Sequence, residues 1–407
     1  MRWVRASFLS LCVLALAACN LAPFTPTETP TATASATPRP SATPTPTLTP
    51  RPSPTAPSAE MCKRPSFVHL GFGFPRSEHR LPSLGKVNAI VLFADFEDAA
   101  ATRSPQDVFA MISPMAEEFF AQQSYGRFEM ELEPYFAWLR LSQPSAHYGN
   151  SLATYFEHLA FLQEAVDLAD PVVDFSQTDL VVLINNPDAY EIVYGPTYTG
   201  FLDSGLTADG VIIPNGMTSG RDLLHWGYLW LNHETGHSLG LPDLYAYGRL
   251  EDIFPYTGGY SLMGNIYGHA PELTAIERWV LGWLDDNQVY CLPAGQEVEL
   301  ELSAIEQPGG LKALVTPLDA SRLLVVESRR ALGYDQYMPE PGALVYIVDA
   351  SIATGYGPML VLPEVEGDFA FSQSTLRLGE EVTVEGITIR VVQAGPDFDR
   401  VELRLTP

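Results

Sequence analysis

The chain has 407 residues, 46% of them hydrophobic and 18% charged, so its length suits two or three domains with a sizeable core. Its 23 basic and 49 acidic residues give a net charge of −26. That charge argues against a nucleic-acid partner, because phosphate binding needs clusters of Lys and Arg, and an anionic membrane surface would also repel such a body.

The first 19 residues have the features of an export signal. Arg2 and Arg5 precede an apolar run that is too short to cross a bilayer as a permanent helix. The run ends in Leu16-Ala17-Ala18-Cys19, which resembles a bacterial lipoprotein signal. We therefore predict a signal at 1–19, a lipid on Cys19, and export to the bacterial cell surface in an anchored, shed or secreted form. An ordinary secretory signal cleaved nearby is the alternative.

Residues 20–58 are predicted to form a disordered stalk. The segment is rich in Pro and Thr and has few apolar side chains to bury, so folding could not offset its conformational entropy. A Pro-rich spacer extends by about 3.1 Å per residue, which would hold a folded body on the order of 100 Å from the membrane. The lipid on Cys19 would then be the chain's sole membrane contact.

Strand and helix patterns alternate over residues 59–290, which predicts an α/β (α+β) domain. The strands are predicted at 87–93, 128–132 and 180–184, and the helices at 105–123 and 151–168. Residues 291–407 contain no long helical pattern, and Gly and Pro interrupt their apolar runs at short intervals. That region is predicted to be a smaller β-rich domain with strands at 323–327, 343–348, 382–384 and 387–391.

The chemistry is indicated by one stretch, His233-Glu234-Thr235-Gly236-His237-Ser238-Leu239-Gly240-Leu241-Pro242-Asp243. On a helix, His233 and His237 project from one face and can bind Zn²⁺ together. Glu234 can reach a zinc-bound water and act as general base, and then as proton donor to the leaving amine. The alternative interpretation is a surface helix whose histidines have no role in metal binding.

Asp243 is the predicted third zinc ligand. Gly240 permits a left-handed turn at the helix end, so the chain can bend back towards the metal. Two His and one carboxylate leave an open position for water, as catalytic zinc requires. His269 and Glu272 remain alternatives for the third ligand, because both lie downstream and could face the cleft.

The turn from Gly258 to Gly264 carries Met263. In metzincin zinc proteases a methionine turn forms a hydrophobic base under the metal. We predict this role for Met263, with an ordinary buried methionine as the alternative.

Cys62 and Cys291 are the cysteines outside the signal region. In an exported chain an isolated pair usually forms one disulfide, which here would join the start of the folded body to the end of the α/β region. A Cys62 thiolate that blocks the zinc is the alternative.

These motifs together resemble the immune inhibitor A family of secreted bacterial zinc metalloproteases. The resemblance covers residues 84–350 and is carried by 119–126, 233–245, 261–264, and 271–275 with 281–283. It implies a metzincin-like catalytic domain with zinc on His233, His237 and Asp243, Glu234 as acid/base, Met263 beneath the site, and proteins or peptides as substrates.

The chain departs from that family in two respects. Only a short segment separates the stalk from the first strand, where many members have a large pro-domain. Ala246 stands where the family often has an acidic residue, which puts an additional cation site there in doubt. Calcium is compatible with the acidic composition, but no EF-hand-type loop is present in the sequence.

The main hypothesis is a surface-tethered zinc endopeptidase. A non-catalytic binding or adhesion module on a protease-like fold is the alternative, and zinc-dependent hydrolysis of a non-peptide bond is a third reading. Glu234 favours an enzyme, because relic sites tend to lose the base or a ligand.

Overall fold

The computed structural model describes residues 58–200, 204–249, 252–365 and 367–406. The predicted signal with Cys19, and the predicted stalk except Ser58, lie outside these residues. All described residues belong to one unit, Pro54–Pro407. Within them, no helix has both the length and the apolar character needed to cross a membrane.

The part that precedes residue 290 contains most of the helices. In chain order its elements are a 3₁₀ helix at Ala59–Cys62, β1 (Gly85–Asp95), α1 (Pro105–Phe109), α2 (Met115–Gln123), β2 (Phe128–Arg140), α3 (Ser145–Ser151), α4 (Tyr155–Ala169), β3 (Leu180–Asn185), β4 (Thr197–Thr199), β5 (Leu206–Ala208), β6 (Val211–Ile213), β7 (Asn215–Thr218), α5 (Leu223–Trp226), α6 (Tyr228–Leu239), α7 (Ala275–Val280) and a 3₁₀ helix at Asp286–Gln288.

A five-stranded sheet organises this part, with the spatial order β2, β1, β3, β7, β4. The first four strands run parallel, and β4 is an antiparallel edge strand on β7. Every residue of β3 is buried, as expected for a central strand of a parallel sheet covered on both faces. The predicted strands at 87–93 and 180–184 are thus confirmed, and β5 pairs with β6 in a separate ribbon.

Two predicted helices have different bounds in the structure. The helix expected at 105–123 is divided into α1 and α2, because Pro114 lacks a backbone N–H and disfavours helical geometry at the residue before it. The helix expected at 151–168 begins only at Tyr155, after α3 has ended. The strand expected at 128–132 continues to Arg140 alongside β1.

The C-terminal region is β-rich, as predicted. Its elements are β8 (Val289–Cys291), β9 (Val298–Ser303), β10 (Ala313–Pro317), β11 (Arg322–Arg329), a 3₁₀ helix at Gly333–Asp335, β12 (Gly342–Asp349), β13 (Met359–Leu362), β14 (Thr375–Leu376), β15 (Glu381–Val384), β16 (Ile387–Ala394) and β17 (Phe398–Leu405).

These strands form two sheets. One has the order β13, β12, β11, β10, β8, with β14 also paired to β12, and the other has the order β15, β16, β17, β9. Buried residues of both sheets, such as Leu324 and Val401, share one hydrophobic cluster. Strand β8 spans both sides of the boundary predicted at 290/291, and that division stays a prediction.

Cys62 and Cys291 form a disulfide, with 5.8 Å between their Cα atoms. The bond joins the first 3₁₀ helix to β8 and confirms the predicted pairing. The alternative role of Cys62 as a metal-blocking thiolate is therefore wrong, because its sulfur is already bonded.

Candidate metal centre

Helix α6 carries both histidines of the motif and ends as the sequence predicts. Gly240 has a φ of 102°, a left-handed conformation that favours glycine. Its N–H donates to the carbonyl of His237 at 2.9 Å, and the N–H of Leu241 donates to the carbonyl of Gly236 at 2.9 Å. These bonds close the helix, and the chain then turns back so that Asp243 faces the histidines.

His233, His237 and Asp243 form a compact cluster. Nε2 of each histidine lies 3.2 Å from the same oxygen, Oδ1 of Asp243. The three candidate ligand atoms lie within 4.8 Å of one another. His233 and Asp243 are buried, while His237 is partly exposed. This group could therefore hold a metal ion.

Backbone carbonyls orient both imidazole rings. Nδ1 of His233 lies 3.0 Å from the carbonyl oxygen of Leu262, and Nδ1 of His237 lies 2.9 Å from that of Leu241. A carbonyl can only accept, so each Nδ1 is the protonated nitrogen. In a neutral ring this leaves the Nε2 lone pair directed at the cluster, which is the orientation typical of metal-ligating histidines.

One oxygen of the Asp243 carboxylate lacks a partner that a metal cation could supply. Its Oδ1 is buried and, despite the short distances to Nε2, has no hydrogen-bond partner of adequate geometry among the described residues. Oδ2 accepts from the hydroxyl of Tyr247 at 2.5 Å. An unsatisfied buried carboxylate oxygen is costly, and a cation between it and the two nitrogens would remove that cost.

The electrostatics of the cluster point in the same direction. Burial alone would raise the pKa of Asp243, but the imidazoles of His237 and His233 hold that pKa well below its usual range. Burial would lower the pKa of His237, but the Asp243 carboxylate, followed by Glu234 and the Leu241 carbonyl, raises it to about 9. The site thus attracts a positive charge, whether a proton or a metal cation.

Glu234 lines the same cleft but is outside the three-residue cluster. Its Oε2 lies 2.7 Å from Oγ1 of Thr197 in β4, and the same hydroxyl lies 2.8 Å from the backbone oxygen of Glu234. One hydroxyl proton can serve only one of these acceptors at a time. Thr197 therefore holds Glu234 at the cleft without occupying its other carboxylate oxygen.

Met263 packs against helix α6, and its predicted role beneath a metal stays a prediction. Its side chain is fully buried, and its sulfur would be only 2.4 Å from a Cβ atom added at Gly236. The preceding carbonyl, of Leu262, is the one that faces His233, and the Met263 carbonyl accepts from the N–H of Leu244 at 2.9 Å. The turn therefore supports both the helix and the segment that carries Asp243.

The alternative third ligands lie elsewhere. The His269 ring packs against Tyr260, with 4.9 Å between ring centroids, and burial lowers the pKa of His269 to about 4. Glu272 is fully buried, pairs with Arg278 at 2.7 Å and accepts from Gln122 at 2.6 Å. Neither belongs to the described cluster, so the geometry places Asp243, and not these residues, beside the two histidines.

Several contacts at the site have no signal in the sequence. Thr197 lies on a strand of three residues. Thr354 is 111 residues from Asp243 in sequence, and its hydroxyl donates to the Asp243 carboxylate at 3.4 Å. Tyr247 is close to the motif in sequence, but a tyrosine four residues after Asp243 matches no known pattern of metal ligands. Gly236 had a detectable signal, since glycine inside a helix is unfavourable and suggests a packing constraint.

The cluster opens into a cleft of about 1610 Å³. Its walls come from segments around Gly71, Tyr155, Pro196 and Ile266, as well as from α6. A volume above that of typical small-molecule pockets suits an extended ligand. Comparison of the chain with protein-family models and with curated proteins finds no match.

Proposed function

We propose that this protein is a zinc-dependent endopeptidase. The observation that carries the proposal is the unsatisfied Asp243 Oδ1 between the Nε2 atoms of His233 and His237, with Glu234 beside it. Nitrogen and carboxylate ligands in this number suit zinc with an open position. When bound, zinc supplies a Lewis acid that polarises a carbonyl and lowers the pKa of a coordinated water.

The side chains of the site would have separate roles in binding the cation, transferring a proton and positioning the base. His233, His237 and Asp243 would hold the cation, and the Leu262 and Leu241 carbonyls fix the ring orientations. Glu234 would accept the proton of the attacking water and return it to the leaving amine. Thr197 would keep the Glu234 carboxylate aimed into the cleft through its hydroxyl.

The cleft supports a peptide as substrate. Strand β4 is one of the two edge strands of the five-stranded sheet, and all three of its residues line the cleft. A sheet edge presents unpaired N–H and C=O groups to which an extended peptide can add as a further strand. The resemblance to the immune inhibitor A family points to the same substrate class.

The location proposed is the bacterial cell surface, through a lipid on Cys19. The disulfide Cys62–Cys291 is consistent with an extracellular protein, since disulfides persist in oxidising compartments. A surface enzyme of this kind would encounter exported or environmental proteins.

The test is cleavage of casein by the purified full-length chain after zinc loading. We expect the wild type to cleave, a chelator to stop cleavage, and Glu234→Ala to be inactive. Glu299→Ala, an exposed glutamate on β9, is the matched control and should cleave normally. Undiminished cleavage by Glu234→Ala would contradict the assigned base, and a zinc-loaded wild type that cleaves neither casein nor a peptide library would favour the adhesion module.

A further inference from the structure

One wall of the cleft consists of the segment that follows the Cys62 disulfide. Residues 66–80 contribute several of its lining side chains, including Arg76 and Arg80. The segment is fixed to the end of α6, because the N–H of Leu81 donates to the carbonyl of Ser238 at 2.9 Å. Ser238 is the residue after His237, so this wall adjoins the proposed metal site.

The two arginines lie against the glycine that ends α6. A Cβ atom at Gly240 would be 3.3 Å from Cγ of Arg80 and 3.7 Å from Cγ of Arg76. Arg76 Nη1 donates to the carbonyls of Leu81 at 2.9 Å and Leu239 at 3.2 Å, so this side chain is anchored. Arg80 has no such anchor, since its guanidinium makes no hydrogen bond or ion pair with another described residue.

Neither arginine is paired with a carboxylate among the residues that the structure describes. Burial lowers the pKa of both groups, and the one charged neighbour that affects Arg76 is Arg80 itself. The carboxylates among the described lining residues are Asp222, Glu234 and Asp243. None of them faces the arginines as a free partner: Asp222 accepts from backbone N–H groups, Glu234 accepts from Thr197, and Asp243 accepts from Tyr247 and lies beside the two histidines.

A partly desolvated guanidinium without a counter-charge is unfavourable, and its best complement is a planar anion that can accept two parallel hydrogen bonds. The acidic exterior of the chain would repel such an anion at long range. Salt screens that repulsion beyond roughly 10 Å, whereas the attraction between Arg80 and an anion in direct contact with it is screened much less. A carboxylate on the substrate is the anion that a peptide-binding cleft meets.

We propose that Arg80, with Arg76 beside it, binds a carboxylate of the substrate near the site of cleavage, so that the cleft selects acidic peptides. This inference rests on the proposed function, and it names the substrate class for that site. The carboxylate can come from an Asp or Glu side chain or from the C-terminus of a peptide. Arg80 is accordingly a specificity-determining residue.

The test measures binding, which does not require turnover. Fluorescent alanine-rich heptapeptides, each with one Glu at a different position, are titrated into zinc-loaded full-length Glu234→Gln and compared with Gln counterparts. A second set compares the free C-terminal acid with its amide. We expect at least one acidic peptide to bind about tenfold more tightly than its neutral counterpart, with the difference shrinking at high salt.

The preference should disappear in Glu234→Gln/Arg80→Met and persist in Glu234→Gln/Arg390→Met, which removes an exposed arginine of β16. If the Arg80→Met variant fails to fold, Glu234→Gln/Arg80→Lys takes its place in the test. Lysine keeps a point charge without the planar fork of arginine, so the preference for acidic peptides should be reduced. Equal binding of acidic and neutral peptides, or a preference unchanged in Arg80→Met, would overturn the inference. Failure of the zinc-loaded wild type to cleave both casein and a peptide library would instead overturn the proposed function, leaving the binding result to stand separately.

Discussion

Asp222 lines the cleft, but both oxygens of its carboxylate accept hydrogen bonds from backbone N–H groups. Oδ2 accepts from the N–H of Gly195 at 2.8 Å, and Oδ1 accepts from those of Gly220 and Leu223 at 2.9 Å each. Burial, with a smaller contribution from the charge of Glu234, raises the pKa of Asp222 to about 7 against the opposing effect of these bonds. The side chain thus ties the segment before β4 to the start of α5.

This raised pKa predicts a pH-dependent effect of Asp222→Asn. The folded-state pKa of about 7 exceeds the usual 3.8, so the stabilising contribution is complete below the lower value and is lost as pH rises through the higher one. Asn has no such dependence. The free energy of unfolding of the wild type relative to the variant should therefore fall between about pH 4 and pH 7 in urea titrations. A difference that stays constant across that range would contradict the assigned shift.

Thr197 offers a second test at the level of one side chain. Removing its hydroxyl in Thr197→Val should leave Glu234 poorly aimed, because the 2.7 Å contact is the one described side-chain hydrogen bond to its carboxylate. For a positioning residue we expect kcat to fall about tenfold with KM and metal content unchanged. Thr197→Ser should restore kcat, whereas an equal loss in both variants would show that the hydroxyl is not what matters.

Among the elements, α6 and the methionine turn depend on each other. The turn supplies the carbonyl that orients His233, and its Met263 fills the space that a side chain at position 236 would need. Glycine inside a helix is therefore a packing requirement here, at the residue directly before His237.

Gly236→Ala should destabilise the protein. In an open helix the change gains about 1 kcal/mol, but here the added methyl group meets the buried Met263 sulfur, and overpacking costs about 1–3 kcal/mol. Chemical denaturation would measure the loss. The shorter side chain in Met263→Val should relieve part of it, so the double variant should be more stable than the sum of the single effects implies. A stabilised Gly236→Ala would contradict the packing described.

The sequence predicted the site where spacing along one helix determines geometry. His233 and His237 had to share a face, and Gly240 had to permit the bend that brings Asp243 back. Thr197, Thr354 and Arg80 could not be predicted, because each arrives from a distant segment through tertiary packing. Strands β4, β5 and β6 have three residues each, too few for a periodic pattern.

At the scale of the whole molecule, the disulfide lies at the start of the segment that forms one cleft wall. It joins residues 229 apart in sequence, and no helix or strand is described between Lys63 and Leu84. That segment carries Arg76 and Arg80. The disulfide holds one end of the segment and α6 the other, and between them the N–H of Phe67 donates to the carbonyl of Ala350 and the carbonyl of Leu70 accepts from the N–H of Thr354.

Cys62→Ser/Cys291→Ser should lower the free energy of unfolding by about 2–5 kcal/mol, because the unfolded chain regains the conformations that the bond removes. Limited proteolysis should then cut first within 63–84. Reducing agent should reproduce the effect in the wild type and leave the variant unchanged. Equal protease resistance of the oxidised wild type and the variant would show that other contacts fix the wall.

The most direct test of the central claim is the zinc content of the purified full-length chain, measured by elemental analysis after removal of metal and reloading with zinc. We predict one zinc per chain in the wild type and in Glu234→Ala, whose side chain is outside the cluster. Asp243→Ala, which removes the buried oxygen between the two histidines, should lose that zinc. A wild type that retains no zinc, or an Asp243→Ala variant that retains a full equivalent, would contradict the account.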